Sequence, residues 1–316
     1  MALTIAHRGA SGYRPEHTLA AYELAIRMGA HYIEPDLVST KDGVLVARHE
    51  NEISATTDVA KRPEFSRRET STTVDGIIRI GWFTEDFTLA ELKTMRAVER
   101  LPRIRPNNTL YDGDFEVPTL DEVIALARRY DVGIYPETKH PSYFASLGLA
   151  LEQPLVRALR RHGLTGPTAK VFVQSFESAN LHQMGTMVDV PLVQLIAGTG
   201  TGYDAMVTPG GLAEIATYAA AIGPDKTRIV PRDPAGYRME PTSLVEDAHA
   251  QGLLVHPYTF RAENVYLPEE LRSGADPHTF GDIFAEYELF FALGVDGVFA
   301  DHPDTAVHAS ALSPAA

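Results

Sequence analysis

The amino-acid sequence predicts an α/β fold, namely a single TIM (β/α)8 barrel over residues 1–316 with a small subdomain inserted after the second barrel strand. The length of 316 residues suits one barrel of this type. Short apolar runs also alternate with helix-type patterns, as eight βα units would require. A doubly wound open sheet is the alternative. That fold needs a glycine-rich phosphate loop after its first strand, and residues 9–12 (GASG) supply only part of one.

The elements follow from the spacing of apolar residues and from the turn residues between them. A Lys41-Asp42-Gly43 turn predicts a hairpin leading into the run at 44–47. Strands are expected at 3–6, 32–38, 44–47, 132–135, 171–174, 192–196, 220–222, 253–256 and 297–300. Helices are expected at 18–28, 120–130, 154–161, 178–187, 211–220, 241–251 and 279–293.

Residues 51–117 interrupt this alternation. The segment is rich in charge, threonine and proline, shows little periodicity and contains the single tryptophan of the chain, Trp82. It is too long for an ordinary barrel connection, and structureless loops of this length are uncommon. We therefore expect it to form a small subdomain over the top of the barrel.

Composition limits the possible partners. The chain has 28 basic and 42 acidic residues and a formal charge of −14, which disfavours nucleic acid and stable binding to anionic membranes. A phosphate ligand would need a local positive centre such as a metal ion. The absence of cysteine excludes disulfides, thiolate nucleophiles and cysteine-ligated metals. No secretory signal is evident, so we expect a cytoplasmic protein, or a periplasmic or secreted one if the sequence is a trimmed mature form.

Polar residues cluster where the predicted strands end, which is where barrel enzymes place their active sites. Glu34 and Asp36 are two residues apart on one strand, so their side chains point to the same side, and Glu137 and Lys139 share this spacing. Each of these residues, taken alone, is more simply explained by a structural role. Their occurrence together at successive strand ends is much stronger evidence for an active site. The candidate site residues are His7, Arg8, Glu34, Asp36, His49, Glu137 and Lys139.

This set of residues suits the cleavage of a phosphodiester. Three carboxylates on rigid strands favour a hard divalent cation, Ca²⁺ or Mg²⁺, over zinc. Arginine and lysine bind the remaining phosphate oxygens. Two histidines are able to share the roles of general base and general acid, as removal of one proton and delivery of another require.

Several motifs resemble those of glycerophosphodiester phosphodiesterases, and the resemblance covers nearly the whole chain. They are AHRGASG (6–12), PEHTL (15–19), GAHYIEPDL (29–37), TKDG (40–43) through His49, YPETK (135–139), LVHPYT (254–259) and GVFADHP (297–303). The resemblance implies a TIM barrel that uses a divalent metal to hydrolyse glycerophosphodiesters to glycerol 3-phosphate and an alcohol. The segment after His49 looks like the insertion that separates this family from phosphatidylinositol-type phospholipases C.

By resemblance, His7 and His49 are the acid–base pair, and Arg8 and Lys139 hold the substrate phosphate. The metal ligands it implies are Glu34, Asp36 and Glu137. Of the two cations we expect Ca²⁺ over Mg²⁺, because several carboxylates on a rigid frame suit its larger and looser coordination shell. Many members have asparagine where this chain has His17. We leave His17 out of the catalytic set and keep Glu16 as an unassigned site residue.

Two other functions remain as alternatives. A phospholipase D-like relative on the same barrel would need an apolar or basic rim, and no polybasic stretch is present. A binding module that has lost catalysis would lack a histidine or carboxylate, yet every position is filled. The expected partner is therefore a small glycerophosphodiester. The sequence leaves open both the oligomeric state and the choice between a cyclic phosphate intermediate, which we favour, and direct attack by water.

Overall fold

The short apolar runs of the sequence become the strands of one parallel barrel in the computed structural model, which describes residues 2–312. The strands in this range are β1 (Leu3–His7), β2 (Tyr32–Glu34), β3 (Asp36–Ser39), β4 (Leu45–Ala47), β5 (Thr70–Val74), β6 (Ile77–Gly81), β7 (Gly133–Ile134), β8 (Glu137–Thr138), β9 (Val173–Ser175), β10 (Leu192–Ile196), β11 (Ala221–Pro224), β12 (Leu254–Val255) and β13 (Gly297–Ala300).

Helices follow most of the barrel strands and cover them from outside. Those in the described range are α1 (Leu19–Arg27), α2 (Leu89–Leu92), α3 (Leu120–Arg129), α4 (Pro141–Ser146), α5 (Glu152–Arg161), α6 (Ser178–Gly185), α7 (Thr201–Met206), α8 (Pro209–Ile215), α9 (Leu244–Ala250), α10 (Ile283–Ala292) and α11 (Pro303–Leu312). Within residues 2–312, no helix combines the length and the apolar character that crossing a membrane would require.

The strand order around the barrel follows the chain, and the last barrel strand lies beside the first. β13 pairs with β1 in parallel, and β1 pairs with β2. β12 and β13 are joined through flanking residues. The Asp296 N–H donates to the carbonyl of Val255 at 2.9 Å, and the Phe299 N–H donates to that of Pro257 at 3.1 Å. These bonds complete the predicted barrel.

Two prolines interrupt the predicted strands beside the candidate carboxylates. The strand expected at 32–38 is divided at Pro35 into β2 and β3, because proline has no N–H for the ladder. Pro136 likewise separates β7 from β8, and Asp36 then lies in register with Glu137. The run at 44–47 is confirmed as the second arm of a hairpin, since β4 pairs antiparallel with β3.

Residues 51–117 form one hairpin, one short α-helix and four short 3₁₀ helices, joined by irregular chain. β5 and β6 pair antiparallel, and α2 begins with a capping box between Thr88 and Glu91. Trp82, Phe87 and Met95 are buried in the same apolar cluster as the barrel residues around them. The segment therefore packs directly onto the barrel through a shared core.

Candidate active site

His7, at the end of β1, is hydrogen-bonded to the residue that follows the last barrel strand. Its Nδ1 lies 2.6 Å from Oδ1 of Asp301. Burial and the charge of Arg8 lower the pKa of His7 to about 4, although Asp301 acts in the opposite direction. The ring is therefore neutral at pH 7. Asp301 is an ionised acceptor, because Arg261 and Arg105 outweigh its burial and hold its pKa well below the usual range. Nδ1 thus carries the proton, and Nε2 is left as the basic nitrogen.

Three buried carboxylates meet beside His7. Glu34 ends β2, while Asp36 and Glu137 begin the paired strands β3 and β8. One oxygen of each carboxylate lies within 4.8 Å of the others, as the spacing predicted. Asp36 Oδ1 is buried and has no hydrogen-bond partner among residues 2–312, whereas its Oδ2 accepts from His17 at 2.9 Å.

Full ionisation of all three carboxylates is unfavourable, because three buried negative charges this close together repel one another. Burial and the neighbouring Asp36 raise the pKa of Glu34 well above its usual value. Burial raises the pKa of Glu137 to about 8, even though Lys139 opposes this shift. Asp36 alone keeps a low pKa, because Lys139 and His17 outweigh its burial. A divalent cation would relieve this repulsion, and an all-oxygen ligand set with one unpaired buried oxygen fits such an ion.

Arg8 and Lys139 supply positive charge at this cluster. Arg8 has a left-handed backbone with φ of 62°, and its N–H donates to Oε2 of Glu34 at 2.7 Å. Its guanidinium donates to both oxygens of Glu16, at 3.2 and 3.1 Å. Lys139 Nζ lies 2.9 Å from Oε1 of Glu137. Both basic groups are buried, so their charges act at low dielectric.

His49 lies two residues after the end of β4 and is bound to its chain neighbour. Nδ1 is 3.2 Å from Oε1 of Glu50, and 28% of the His49 side chain is exposed. Burial of the rest of the ring, with Arg8 and Lys139 nearby, lowers the pKa of His49 to about 3. Both histidines are therefore neutral in the protein without substrate.

One cavity of about 360 Å³ joins these groups. Six of the seven predicted site residues line it, and Asp36 is buried next to them. The rest of the wall combines aromatic rings with basic and hydroxyl groups. This part of the cavity would surround a substituent on the phosphate. The residues include Phe176, Thr227, Lys226, Arg232, Tyr258, Arg261, Tyr266 and Phe299.

Comparison with known proteins agrees with this arrangement. The model of the glycerophosphoryl diester phosphodiesterase family matches residues 7–305. The chain belongs to this family. A glycerophosphodiester phosphodiesterase of Arabidopsis thaliana is 38% identical, covering 94% of this chain and 82% of the relative. One of Bacillus subtilis is 33% identical, with coverage of 96% and 84%.

Solved structures give the same fold. A phosphodiesterase of Oleispira antarctica in complex with the product sn-glycerol-3-phosphate superposes with a TM-score of 0.67 at 20% identity, covering 98% of this chain and 96% of that one. A glycerophosphodiester phosphodiesterase of Agrobacterium tumefaciens gives 0.63 at 20% identity, with coverage of 98% and 100%. The family, the barrel and the phosphodiesterase class predicted from the sequence are thus confirmed.

Several residues around the site have roles that were not predicted from the sequence. Asp301 follows the last barrel strand, where the strand-end argument would have found it, and Glu50 directly follows His49. Gln174 donates to Oε1 of Glu34 at 3.1 Å from a strand with no other signal. Arg105 lies in the irregular segment, where no periodicity could place it.

Glu16 and His17, which the sequence left without an assigned role, each contact residues of the site. Glu16 is buried and accepts from Arg8 and from Nε of Arg100, the latter at 2.7 Å. His17 is fully buried between Asp36 and Tyr22, with its Nδ1 2.7 Å from the Tyr22 hydroxyl. His17 thus contacts a candidate metal ligand without lining the cavity.

Proposed function

We propose that this protein hydrolyses glycerophosphodiesters to glycerol 3-phosphate and an alcohol. The observation that carries the proposal is that two neutral histidines, three clustered carboxylates and two buried basic side chains meet at one cavity. The named activity of the relatives, and the sn-glycerol-3-phosphate bound in the Oleispira structure, support the same substrate class. The partner is then a small molecule held in the barrel mouth.

Glu34, Asp36 and Glu137 would hold one divalent cation, Ca²⁺ in preference to Mg²⁺. Carboxylates on a rigid frame suit the larger and looser coordination shell of Ca²⁺ better than the strict octahedron of Mg²⁺. The buried, unpaired Oδ1 of Asp36 supports the assignment, because a buried charged oxygen without a partner is costly. When bound, the cation withdraws negative charge from the phosphoryl oxygens.

Arg8 and Lys139 would orient the phosphate next to the carboxylates. Both basic groups line the cavity and are already fixed by ion pairs to Glu16 and Glu137. A substrate phosphate therefore meets pre-positioned donors, which lowers the entropy cost of binding it.

His7 and His49 would exchange protons with the reacting oxygens. Both rings are neutral in the free protein, so each has a nitrogen lone pair for a proton, although pKa values of about 4 and about 3 make them weak bases in this state. The partner ring must carry a proton to protonate the leaving alcohol. The negative charge of the bound phosphodiester favours that protonated form, since an adjacent opposite charge raises the pKa of an imidazole.

We favour attack by the glycerol hydroxyl next to the phosphate ester. Its oxygen bonds to phosphorus while one histidine takes its proton, and the P–O bond to the leaving alcohol breaks as the other histidine protonates that oxygen. Water then opens the five-membered cyclic phosphate with the two roles exchanged. Proximity contributes up to about 7–11 kcal/mol in well-oriented intramolecular reactions. An analogue with hydrogen in place of that hydroxyl should not turn over; normal turnover would establish direct attack by water.

A product assay tests the proposed activity and its metal dependence. The panel contains glycerophosphocholine, glycerophosphoethanolamine and glycerophosphoglycerol, each with and without chelator. We expect glycerol 3-phosphate from at least one substrate, loss of activity in chelator and recovery with Ca²⁺. Glu137→Gln should bind Ca²⁺ more weakly and remain inactive at low Ca²⁺. Full activity of thoroughly metal-stripped protein would contradict the metal assignment, and the absence of product from every substrate would contradict the activity.

A second candidate substrate, a lipid-borne phosphodiester, is favoured by one observation. Ile78 and Ile80 on β6 are 72% and 71% exposed, and Arg79 between them lies 3.2 Å from Oε2 of Glu50, beside His49. We infer that this apolar hairpin next to the cavity would contact acyl chains. If so, Ile78→Ser should slow cleavage of micellar lysophosphatidylcholine and leave glycerophosphocholine unaffected. A rate on lysophosphatidylcholine equal to that of the wild type would exclude the second candidate.

We also propose that residues 51–117 act as an inserted subdomain that completes the mouth of the barrel. Arg79 contacts Glu50, and Arg100 contacts Glu16, so this segment reaches groups that surround the cavity. Selection of the leaving alcohol would then depend on this segment as well as on the barrel loops.

A further inference from the structure

Arg105 is a buried arginine of the inserted segment that reaches into the barrel. Only 3% of its side chain is exposed. Its Nη2 donates to Oδ2 of Asp301 at 2.6 Å, and its Nε donates to Oε1 of Glu263, also at 2.6 Å. Nη1 donates to the carbonyl of Ser11 at 3.0 Å. Nη2 also donates to Oε2 of Glu263 at 3.5 Å, so all three nitrogens of the guanidinium are bound by other residues of the protein.

These contacts fix the carboxylate that binds His7. Asp301 uses Oδ1 for His7, while Oδ2 accepts from Arg105 and, at 2.8 Å, from Arg261. Arg261 lines the cavity and is 21% exposed, so Arg105 is the more buried of the two donors. Since Glu263 and Ser11 hold the same guanidinium, the planar fork of Arg105 sets the rotation of the Asp301 carboxylate.

We propose that Arg105 is a positioning residue that orients His7 through Asp301, so that the inserted segment contributes to catalysis. The inference rests on the proposed function, in which His7 transfers a proton. Arg105 does not line the cavity and has no contact with the three metal-site carboxylates. Its effect should therefore appear in turnover, with substrate binding and cation affinity largely retained.

A purely structural role makes a different prediction. If Arg105 only neutralised buried Glu263 and Asp301, its loss would destabilise the protein, and its effect on rate would be independent of His7. If Arg105 acts through His7, its effect must vanish once the imidazole has gone. A double-mutant cycle separates these two cases, because residues that act as one unit are non-additive.

The experiment compares the wild type, Arg105→Met, His7→Asn and the double variant on the best glycerophosphodiester at saturating Ca²⁺. We expect Arg105→Met to lower kcat about 10-fold or more, the scale seen when a supporting hydrogen bond is removed, with KM within about threefold. The double variant should match His7→Asn alone to within about twofold. Should Arg105→Met fail to fold, Arg105→Lys replaces it throughout the cycle, since lysine keeps the charge but loses the fork.

Arg68→Met is the matched control. Arg68 is another arginine of the inserted segment, paired with Glu91 at 2.8 Å and placed over the ring of Phe87, and it does not contact either histidine or its carboxylate. Its kcat should equal that of the wild type.

The outcomes separate the inference from the function beneath it. A wild type that leaves every glycerophosphodiester intact would overturn the proposed function. An active wild type whose activity survives His7→Asn would remove the role of His7 and this inference with it. With both of those intact, a double variant slower than His7→Asn by the full Arg105 factor, or an Arg105 variant with normal kcat, would overturn the positioning role alone.

Discussion

The two histidines of the cavity are held in contrasting ways. The His7 side is closed: the ring and Asp301 are 9% and 2% exposed, and their atoms lie 2.6 Å apart. The His49 side is open: its ring and Glu50 are 28% and 24% exposed, at 3.2 Å. Both rings bind a carboxylate through Nδ1, so the difference lies in the surroundings rather than in the chemistry.

The contrast extends to the groups behind each carboxylate. Asp301 is fixed by two arginines, one of them fully enclosed, whereas Glu50 contacts Arg79 and His140 near solvent. Ion pairs in water are worth little and are screened by salt, while removing one partner of a buried pair leaves a charge without compensation. The enclosed side is thus pre-organised, and the open side is free to adapt to the substrate.

The largest effect should be the same on both sides. His7→Ala and His49→Ala are each expected to lower kcat by about 10²-fold or more, because each removes a ring that we propose transfers a proton. Substrate binding should change less, since Arg8 and Lys139 remain. His17→Ala, which lies outside the cavity, should have a milder effect. Steady-state kinetics on glycerophosphocholine provide the test, and a kcat within a fewfold of wild type for either alanine variant would remove that ring from the mechanism.

Asp301 and Glu50, the carboxylates that bind the two rings, should differ in their effect on kcat, whereas the two rings should not. Asp301→Asn removes the carboxylate that Arg261 binds, leaves Arg105 with Glu263 alone and alters the hydrogen bond to His7, so kcat should fall toward the upper end of about 10–100-fold. Glu50→Gln should fall toward the lower end. Measured kcat values and thermal denaturation of both variants test this order, which equal losses or a reversed order would contradict.

A smaller effect should appear in the salt dependence of the open side. Arg79→Ala removes an exposed partner of Glu50, and we expect a loss of about twofold to threefold in kcat at low ionic strength. At about 1 M salt the Debye length is about 3 Å, so the wild type and the variant should converge. The ratio of the two rates is the quantity to follow. A ratio that does not change with salt would mean that Arg79 acts by packing instead of charge.

The smallest difference concerns stability against pH. Burial lowers the pKa of His7 to about 4, so between pH 6.5 and 4 the unfolded chain binds a proton that the folded ring refuses. Stability therefore falls as the pH falls through this window. His7→Asn should flatten that part of the curve, and His49→Asn should flatten it as well, because burial lowers the pKa of His49 to about 3. Urea unfolding at several pH values measures both slopes; an unchanged slope in His7→Asn would contradict the buried neutral ring.

The sequence predicted most of the barrel because its strands are local apolar runs. β10 and β13 have the bounds that their hydrophobic residues indicated, and the hairpin before β4 follows from Lys41-Asp42-Gly43. The strand at 32–38 was predicted as continuous. The break at Pro35 shows that a missing N–H overrides an otherwise favourable run.

The carboxylate cluster was also accessible, because a spacing of two residues places side chains on one side of a strand. The partners behind the histidines were not. His7 and Asp301 are 294 positions apart, and Arg105 reaches Asp301 across 196 from a segment without periodicity. Such contacts depend on how distant elements meet, which one-dimensional patterns do not encode.

Because β1 pairs with β13, the contact between His7 and Asp301 requires both the first and the last barrel strand to be present. His49 and all three carboxylates of the candidate metal site belong to the first half of the chain, whereas Asp301 emerges only with the final strand. A ribosome would therefore have built every other part of the proposed proton-transfer machinery before His7 met its carboxylate. Product formation should thus report the arrival of the eighth barrel strand. The same adjacency suits circular permutation, because linking the ends and reopening the chain elsewhere would keep the His7–Asp301 contact inside a continuous segment.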